Sequence, residues 1–258
     1  LLEKILTRFR KANLYPKIGV EIEFYLPEQQ NLDKIKNLVT NISADIQIVE
    51  EQGENQYEMI IPPSDDIINY ITLVNILKNC LKTCGAVLNV IYTKESPPNA
   101  LHLHINFVDS NGENKFLRAK NEYNPLVNHS LAGLCELMQE SMLFLLPKEE
   151  DYLRFQLLPP VNVSWGANNR TTALRLPENV PQNFRIEYRV ISPEADFEKA
   201  VLIILIGIYH GLKNKLTPSE KVHSLAHKIY HLSKLPTSLE EAKEYFIASS
   251  KLKSYLES

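Results

Sequence analysis

The sequence predicts an α+β fold, and three observations carry that prediction. Short stretches such as Arg185–Arg189, Glu21–Glu23 and His102–His104 alternate polar and apolar residues with the period of two that a half-buried strand requires. Long segments between them follow helical periodicity and begin or end on capping residues. The order of strands and helices shows no regular βαβ cadence, which disfavours a parallel α/β sheet.

Taken in order, Leu1–Asn13 reads as an amphipathic helix closed by Tyr15-Pro16, and Ile18–Leu26 as the first strand. Leu32–Ser43 reads as a helix. A hairpin follows, with arms Ile46–Glu50 and Gln56–Ile61 around Gln52-Gly53. Ser64 is a candidate N-cap for a helix reaching Cys84, with Asp65 and Asp66 in its first turn and Gly85 as its stop. Strands are expected over Val87–Tyr92 and Leu101–Phe107, separated by the Pro97-Pro98-Asn99 loop, with a turn over Asp109–Glu113. Asn128–Leu146 reads as one long helix ended by Pro147, and Tyr152–Pro177 as irregular. Past the strand that carries Glu187, Ala195–Leu216 reads as an apolar helix, and Ser219–Ser233 and Ser238–Leu256 as a helical tail.

The composition, 44% apolar and 23% charged over 258 residues, suits a soluble globular protein of one or two domains. A net charge of -3 offers no basis for nucleic acid or an anionic membrane as partner. The longest apolar run, Ala200–Tyr209, is about half of the roughly 20 residues a membrane crossing needs. Cys80, Cys84 and Cys135 are odd in number and lack zinc-site spacing, so free thiols in a reducing, cytoplasmic compartment are expected. No signal peptide is present, and a first residue other than Met suggests a portion of a longer chain.

On one strand face, Arg185, Glu187 and Arg189 point together while Ile186, Tyr188 and Val190 point away. Glu21, Glu23, Glu50, Glu58 and Glu187, joined by His102, form a hard, oxygen-rich donor set that suits magnesium or manganese better than zinc or copper. Such a cluster requires cations to offset its repulsion. Arg154, Arg170, Arg175, Arg185 and Arg189 add guanidiniums whose fork geometry fits phosphate and carboxylate. Metal plus arginines is equipment for phosphoryl transfer, and the lack of a Walker-type loop excludes a P-loop nucleotide site. Each strand taken alone also fits a solvated charged face. His223, His227 and His231 fall on one helical stripe that could bind zinc, but the tail is polar and a solvated or packed face is the favoured reading. Trp165 reads as a packing anchor.

The motifs in order resemble the catalytic domain of glutamine synthetase and related carboxylate-amine ligases. Gly19-Val-Glu21-Ile-Glu23-Phe24 resembles that family's first acidic strand, and Glu50 with Glu58 its second acidic pair. Leu101-His102-Leu-His104 resembles its His-x-His strand, and Lys94 falls where its Phe-Met-Pro-Lys segment would. Ser164 to Pro177, with Trp165-Gly166, Asn169-Arg170 and Arg175, is similar to its Asn-Arg-Ser-Ala-x-x-Arg-x-Pro signature. Arg185-Ile-Glu187-Tyr-Arg189 is similar to its Arg-x-Glu-x-Arg. The likeness runs from about Lys17 to Leu212.

The resemblance implies a glutamine synthetase/guanido kinase-like catalytic domain, a curved, mainly antiparallel sheet with helices on its outer face. Residues 1–258 would form one such domain, with 211–258 as a helical tail and no counterpart of the family's N-terminal β-grasp domain. It also implies two or three magnesium or manganese ions and ATP as co-substrate. Glu23, Glu50 and Glu58 would hold the ion nearer the acceptor, and Glu21, His102 and Glu187 the ion nearer the phosphates. Arg154 and Arg189 would grip the amino-acid carboxylate, and Arg170, Arg175 and Arg185 would neutralise phosphate, with His104 near the nucleotide. The implied reaction phosphorylates a glutamate-like carboxylate for attack by an amine or ammonia, in a monomer or small homo-oligomer.

Departures from the pattern bear on the acceptor. The stretch Leu157–Ser164, where the family's flap supplies an ammonium-binding glutamate, contains no acid. Asn99-Ala100 stands where Asn-Gly is expected, and Ala195-Asp196-Phe197 where Ala-Asn-Pro-Tyr is. Two further readings are a relative that binds metal, nucleotide or a protein without turnover, and a guanidino kinase-like phosphotransferase.

Overall fold

A computed structural model describes residues 1–88, 97–119, 122–156, 160–178 and 183–257. The fold is α+β, built on one seven-stranded sheet. Its strands are β1 (Tyr15–Tyr25), β2 (Gln47–Glu50), β3 (Gln56–Ser64), β4 (Leu101–Val108), β7 (Trp165–Ala167), β8 (Leu174–Leu176) and β9 (Ile186–Tyr188). They lie in the order β2-β3-β1-β4-β9-β8-β7. Every pairing is antiparallel except that of β7 with β8. A two-stranded ribbon of β5 (Arg118–Ala119) and β6 (Glu122–Tyr123) stands apart. The expected strand over Val87–Tyr92 lies mostly outside the described residues, as do Lys94 and the first residues of the acid-free flap; Val87 itself bridges Tyr25.

The helices are α1 (Leu2–Arg10), α2 (Asn31–Ile42), α3 (Ile67–Thr83), α4 (Pro125–Glu136), α5 (Met138–Leu145), α6 (Phe197–Asn214), α7 (Leu239–Ala248) and α8 (Lys251–Leu256). In α1 the positions Leu2, Ile5, Leu6 and Phe9 are buried, the spacing of a single apolar stripe. Asp66, rather than Ser64, caps α3 by accepting from the Asn69 backbone N–H, while Ser64 Oγ accepts from the Asp66 backbone N–H. Gly85 follows with φ +81°, the left-handed conformation that ends the helix. None of the described helices is long and apolar enough to cross a membrane.

Two of the expected helices differ in the structure. The single helix over Asn128–Leu146 is broken at Leu137 (φ -95°, ψ 4°) into α4 and α5, with no Pro or Gly in the sequence to mark the break. Residues 219–233 are not helical beyond a 3₁₀ turn at Ala226–Lys228, so the three-histidine stripe does not exist. That segment gives its backbone groups to the sheet's edge instead. Val222 N donates to Trp165 O, Trp165 Nε1 to Ser219 O, Val163 N to Ser233 O, and Asn169 Nδ2 to Ser224 O. These long-range bonds replace the i to i+4 ladder that the periodicity suggests.

The core lies between the sheet's apolar face and the helices, and α4 against α6 is its tightest seam. A Cβ at Gly211 would sit 1.9 Å from the His129 carbonyl oxygen, and one at Gly133 would sit 2.2 Å from that of Gly207. Only residues without side chains permit this approach. Through it, α6 buries nearly its whole length, from Phe197 to Gly211.

Candidate active site

Strand register assembles the site. Across β1 and β4, Glu21 pairs with His102; across β1 and β3, Glu23 pairs with Glu58. In the next row His104 on β4 pairs with Glu187 on β9, which pairs with Arg175 on β8. Directly opposed residues share a face, so these side chains rise together while their neighbours Ile22, Leu103, Ile186 and Tyr188 sink into the core.

The result is a cavity of about 470 Å³ lined by Glu21, Glu23, Glu51, Glu58, His102, His104, Glu187 and by Arg154, Arg170, Arg175, Arg185 and Arg189. Every residue assigned to the metal, nucleotide or substrate site from the sequence reaches it except Glu50. The ladder pairs Val49 with Glu58 and Glu50 with Tyr57, so Glu50 falls on the opposite face, exposed, and Glu51 takes its place. Gln56 also lines the cavity and holds the opposing loop by donating to Asn99 Oδ1 at 3.1 Å. Tyr25 OH donates to Pro97 O at 2.7 Å on the same loop.

His102 has Glu21 at 3.5 Å, Glu187 at 3.8 Å and Glu23 at 4.0 Å, too far for hydrogen bonds and close enough to share an ion. Three groups bring ligand atoms within 4.8 Å of one another: Glu21, Glu58 and His102; Glu21, His104 and Glu187; and Glu23, Glu51 and Glu58. The charges strain one another. Burial, reinforced by Glu21, Glu23, Glu51 and Glu187, pushes the Glu58 carboxyl up to about 8. Burial also raises Glu23, with Glu51 adding to the effect. In Glu21 and Glu187 burial acts the same way but is outweighed, by His102 and His104 for Glu21 and by Arg189, the histidines and Arg175 for Glu187, so both are held low. Oxygen donors crowded this closely fit a hard divalent ion such as magnesium or manganese.

His104 is tied differently. Arg185 Nε donates to its Nδ1 at 2.9 Å, which makes Nδ1 the acceptor and leaves the proton on Nε2. Nε2 lies at ion-pair distance from Glu21, 3.0 Å, without an aligned hydrogen bond. Arg154 Nη1, Arg175 Nε and Arg189 Nε are likewise buried donors without a hydrogen-bond partner among the described residues. All four line one cavity, a fit to an anionic ligand. Burial lowers Arg154 to about 10, the cost of holding a guanidinium there. Arg154 rides on a 3₁₀ segment, Glu149–Gln156, pinned by Asp151, which accepts from Ser192 Oγ at 2.7 Å and from the Lys148 backbone N–H at 2.9 Å. A second cavity of about 360 Å³, reaching Lys17, Pro63 and Asn106, shares Glu21, His104 and Arg185 with the first. Trp165 is a packing anchor as expected, edge-on to Tyr123 with centroids 5.9 Å apart.

The family model for the glutamine synthetase catalytic domain matches residues 48–258. The chain belongs to the glutamine synthetase family. Among curated relatives it is 29% identical to gamma-glutamylputrescine synthetase PuuA of Escherichia coli K12, over 99% of this chain and 63% of that protein. It is 25% identical to glutamine synthetase of Thermococcus kodakarensis, over 95% and 63%, and 30% identical to glutamate–isopropylamine ligase of a Pseudomonas species, over 76% and 45%. The chain thus spans less than two thirds of the length of these family members. A solved GmaS/ADP complex superposes with a TM-score of 0.85 at 18% identity, over 99% of this chain and 69% of that one. A novel glutamine synthase homolog gives 0.83 at 16%, over 99% and 66%. These two likenesses concern the fold. The matched family range starts beyond β1, so Glu21 and Glu23 enter the site through register with β3 and β4.

Proposed function

We propose that the chain is the catalytic domain of an ATP- and divalent-metal-dependent ligase that joins a glutamate-like carboxylate to an amine. The observation that carries this reading is the convergence of Glu21, Glu23, Glu51, Glu58, His102 and Glu187 from neighbouring strands, within one cavity ringed by Arg154, Arg170, Arg175, Arg185 and Arg189. The relatives named gamma-glutamylputrescine synthetase and glutamate–isopropylamine ligase support an amine as acceptor.

Magnesium or manganese held by the carboxylates and His102 would offset charge on the transferring phosphate and align it with the acceptor oxygen. The protein's own groups do the rest. Arg154 and Arg189 grip the amino-acid carboxylate, and Arg170, Arg175 and Arg185 neutralise phosphate. His104, proton on Nε2, faces the nucleotide, whose nucleoside occupies the adjoining cavity. The substrate's side-chain carboxylate takes the γ-phosphate, ADP leaves, and the amine then displaces phosphate to form the amide. Three free cysteines fit a reducing, cytoplasmic setting.

ADP release screened with L-glutamate and a panel of amines, in magnesium and in manganese, tests the proposal. Glu187→Ala should lower turnover at least ~100-fold and weaken manganese binding. ATP binding without ADP formed for any amine would instead identify a binding protein, and a stable phosphorylated product formed without amine would identify a kinase.

A further inference from the structure

Glu187 is asked to do two things with the same two oxygens. Its side chain is 1% exposed; Arg175 Nη1 donates to Oε2 at 2.5 Å and Arg189 Nη1 donates to Oε1. Its Oε1 also faces His102 at 3.8 Å, on the floor of the cavity that Glu21 and Glu58 line. A small divalent ion binds a carboxylate oxygen at roughly 2.1 Å. With a guanidinium nitrogen against each oxygen, an ion on Glu187 brings like charges into near contact unless the guanidiniums swing away. Both arginines are equipped to swing towards something else, since Arg175 Nε and Arg189 Nε are buried in the cavity wall without partners among the described residues.

We infer that Glu187 is a latch: divalent ion and guanidiniums compete for its oxygens, so that binding the ion hands Arg175 and Arg189 over to anionic substrate. The inference rests on the ligase reading for the identity of that substrate, not for the competition. It implies an order, metal before anion. The same two arginines are withheld from phosphate or carboxylate until the cation that the reaction requires is in place. Neither Glu58 nor Glu23 shares the device, for neither has an arginine bonded to it among the described residues.

The test is calorimetric titration of the chelator-treated protein with inorganic phosphate. Glu187→Gln, which keeps the shape but weakens its hold on the guanidiniums, should bind phosphate at least ~10-fold more tightly than wild type. Glu21→Gln, whose carboxylate is likewise held ionised and has no arginine bonded to it among the described residues, removes the same charge from the same cavity and should change phosphate affinity less than ~3-fold. Equal gains in both variants would reduce the effect to net charge and overturn the latch, as would no gain in Glu187→Gln. Should Glu187→Gln fail to fold, residue-resolved labelling of wild type by phenylglyoxal decides: manganese should accelerate modification of Arg175 and Arg189, and no acceleration overturns the inference. An ADP-release screen that finds no substrate would sink the ligase reading while leaving both readouts in force.

Discussion

The two faces of the central sheet obey opposite physics. On one, Glu21, Glu23, Glu58, His102 and Glu187 crowd carboxylates and imidazole at 3.5–4.0 Å and leave buried donors unpaired. On the other, Ile22, Leu103, Ile186 and Tyr188 are fully buried beneath helices that approach one another through glycine. The comparison teaches that the charged face is destabilising on its own and is held in place by the apolar one. Stability and function should therefore separate by face under mutation.

The largest effect belongs to the α4–α6 seam. In Gly211→Ala the new methyl group would meet the His129 carbonyl at 1.9 Å, where backbone on both sides leaves nothing flexible to yield. Separating the helices should cost about 3 kcal/mol or more, read as a fall in Tm or as insoluble expression. A variant as stable as wild type would show that the seam has slack and weaken the division of labour.

Next in size is a charge on the wrong side. Lys78 of α3 is 7% exposed and donates to Ala195 O at 2.7 Å. Burial, with Lys82 adding to it, lowers its ammonium to about 8 from the ordinary 10.5. Between those values the folded state has released a proton that the unfolded state still holds, so stability rises with pH across that window. Relative to Lys78→Met, wild type should gain about 2–3 kcal/mol between pH 8 and 10.5. Denaturant melts of both proteins at several pH values would measure it, and parallel curves would mean that the ammonium is better solvated than its burial implies.

On the charged face the sign reverses, and because Glu21, Glu23, Glu51 and Glu187 share the titration, the part that Glu58 alone removes is smaller. The Glu58 carboxyl, raised to about 8, keeps its proton in the folded state over a range where the unfolded chain has lost it. The chelated protein should therefore lose stability as pH rises from about 4.5 through 8. Glu58→Gln should remove that loss, raising the chelated protein's stability at pH 8 by about 1–2 kcal/mol while lowering manganese affinity. A variant less stable than wild type without metal would place Glu58 among the fold's supports.

How much of this was legible beforehand follows from the range over which each feature is decided. The alternation in Glu21-Ile-Glu23, His102-Leu-His104 and Arg185-Ile-Glu187-Tyr-Arg189 is local, and a strand's period of two delivers those side chains to one face whatever their partners. The coil over 219–233 is decided by distant groups, such as the Trp165 indole bonded to Ser219 O, that periodicity does not see, and no Pro or Gly at Leu137 marks the break there. Glu51 was missed because hairpin register depends on the turn. Gln52 to Asn55 could close in more than one register, and a slip of one residue exchanges the faces.

That register supplies the smallest prediction and the sharpest. With Val49 opposite Glu58 and the Glu51 backbone N–H bonded to Gln56 O, positions 49, 51, 56 and 58 share one face, and the last three line the cavity. Glu50, opposite Tyr57, is exposed on the far face. Glu50→Ala should thus leave both stability and manganese affinity within about 0.5 kcal/mol of wild type. Glu51→Ala, one residue away with the same chemistry, should weaken manganese binding roughly 10–100-fold, since it removes one member of the group formed with Glu23 and Glu58. Calorimetry with manganese on the two variants compares adjacent, chemically identical side chains that differ only in the face they occupy. If Glu50→Ala proved the damaging one, the hairpin would be shifted by a residue, and the acceptor end of the cavity would have to be rebuilt on that register.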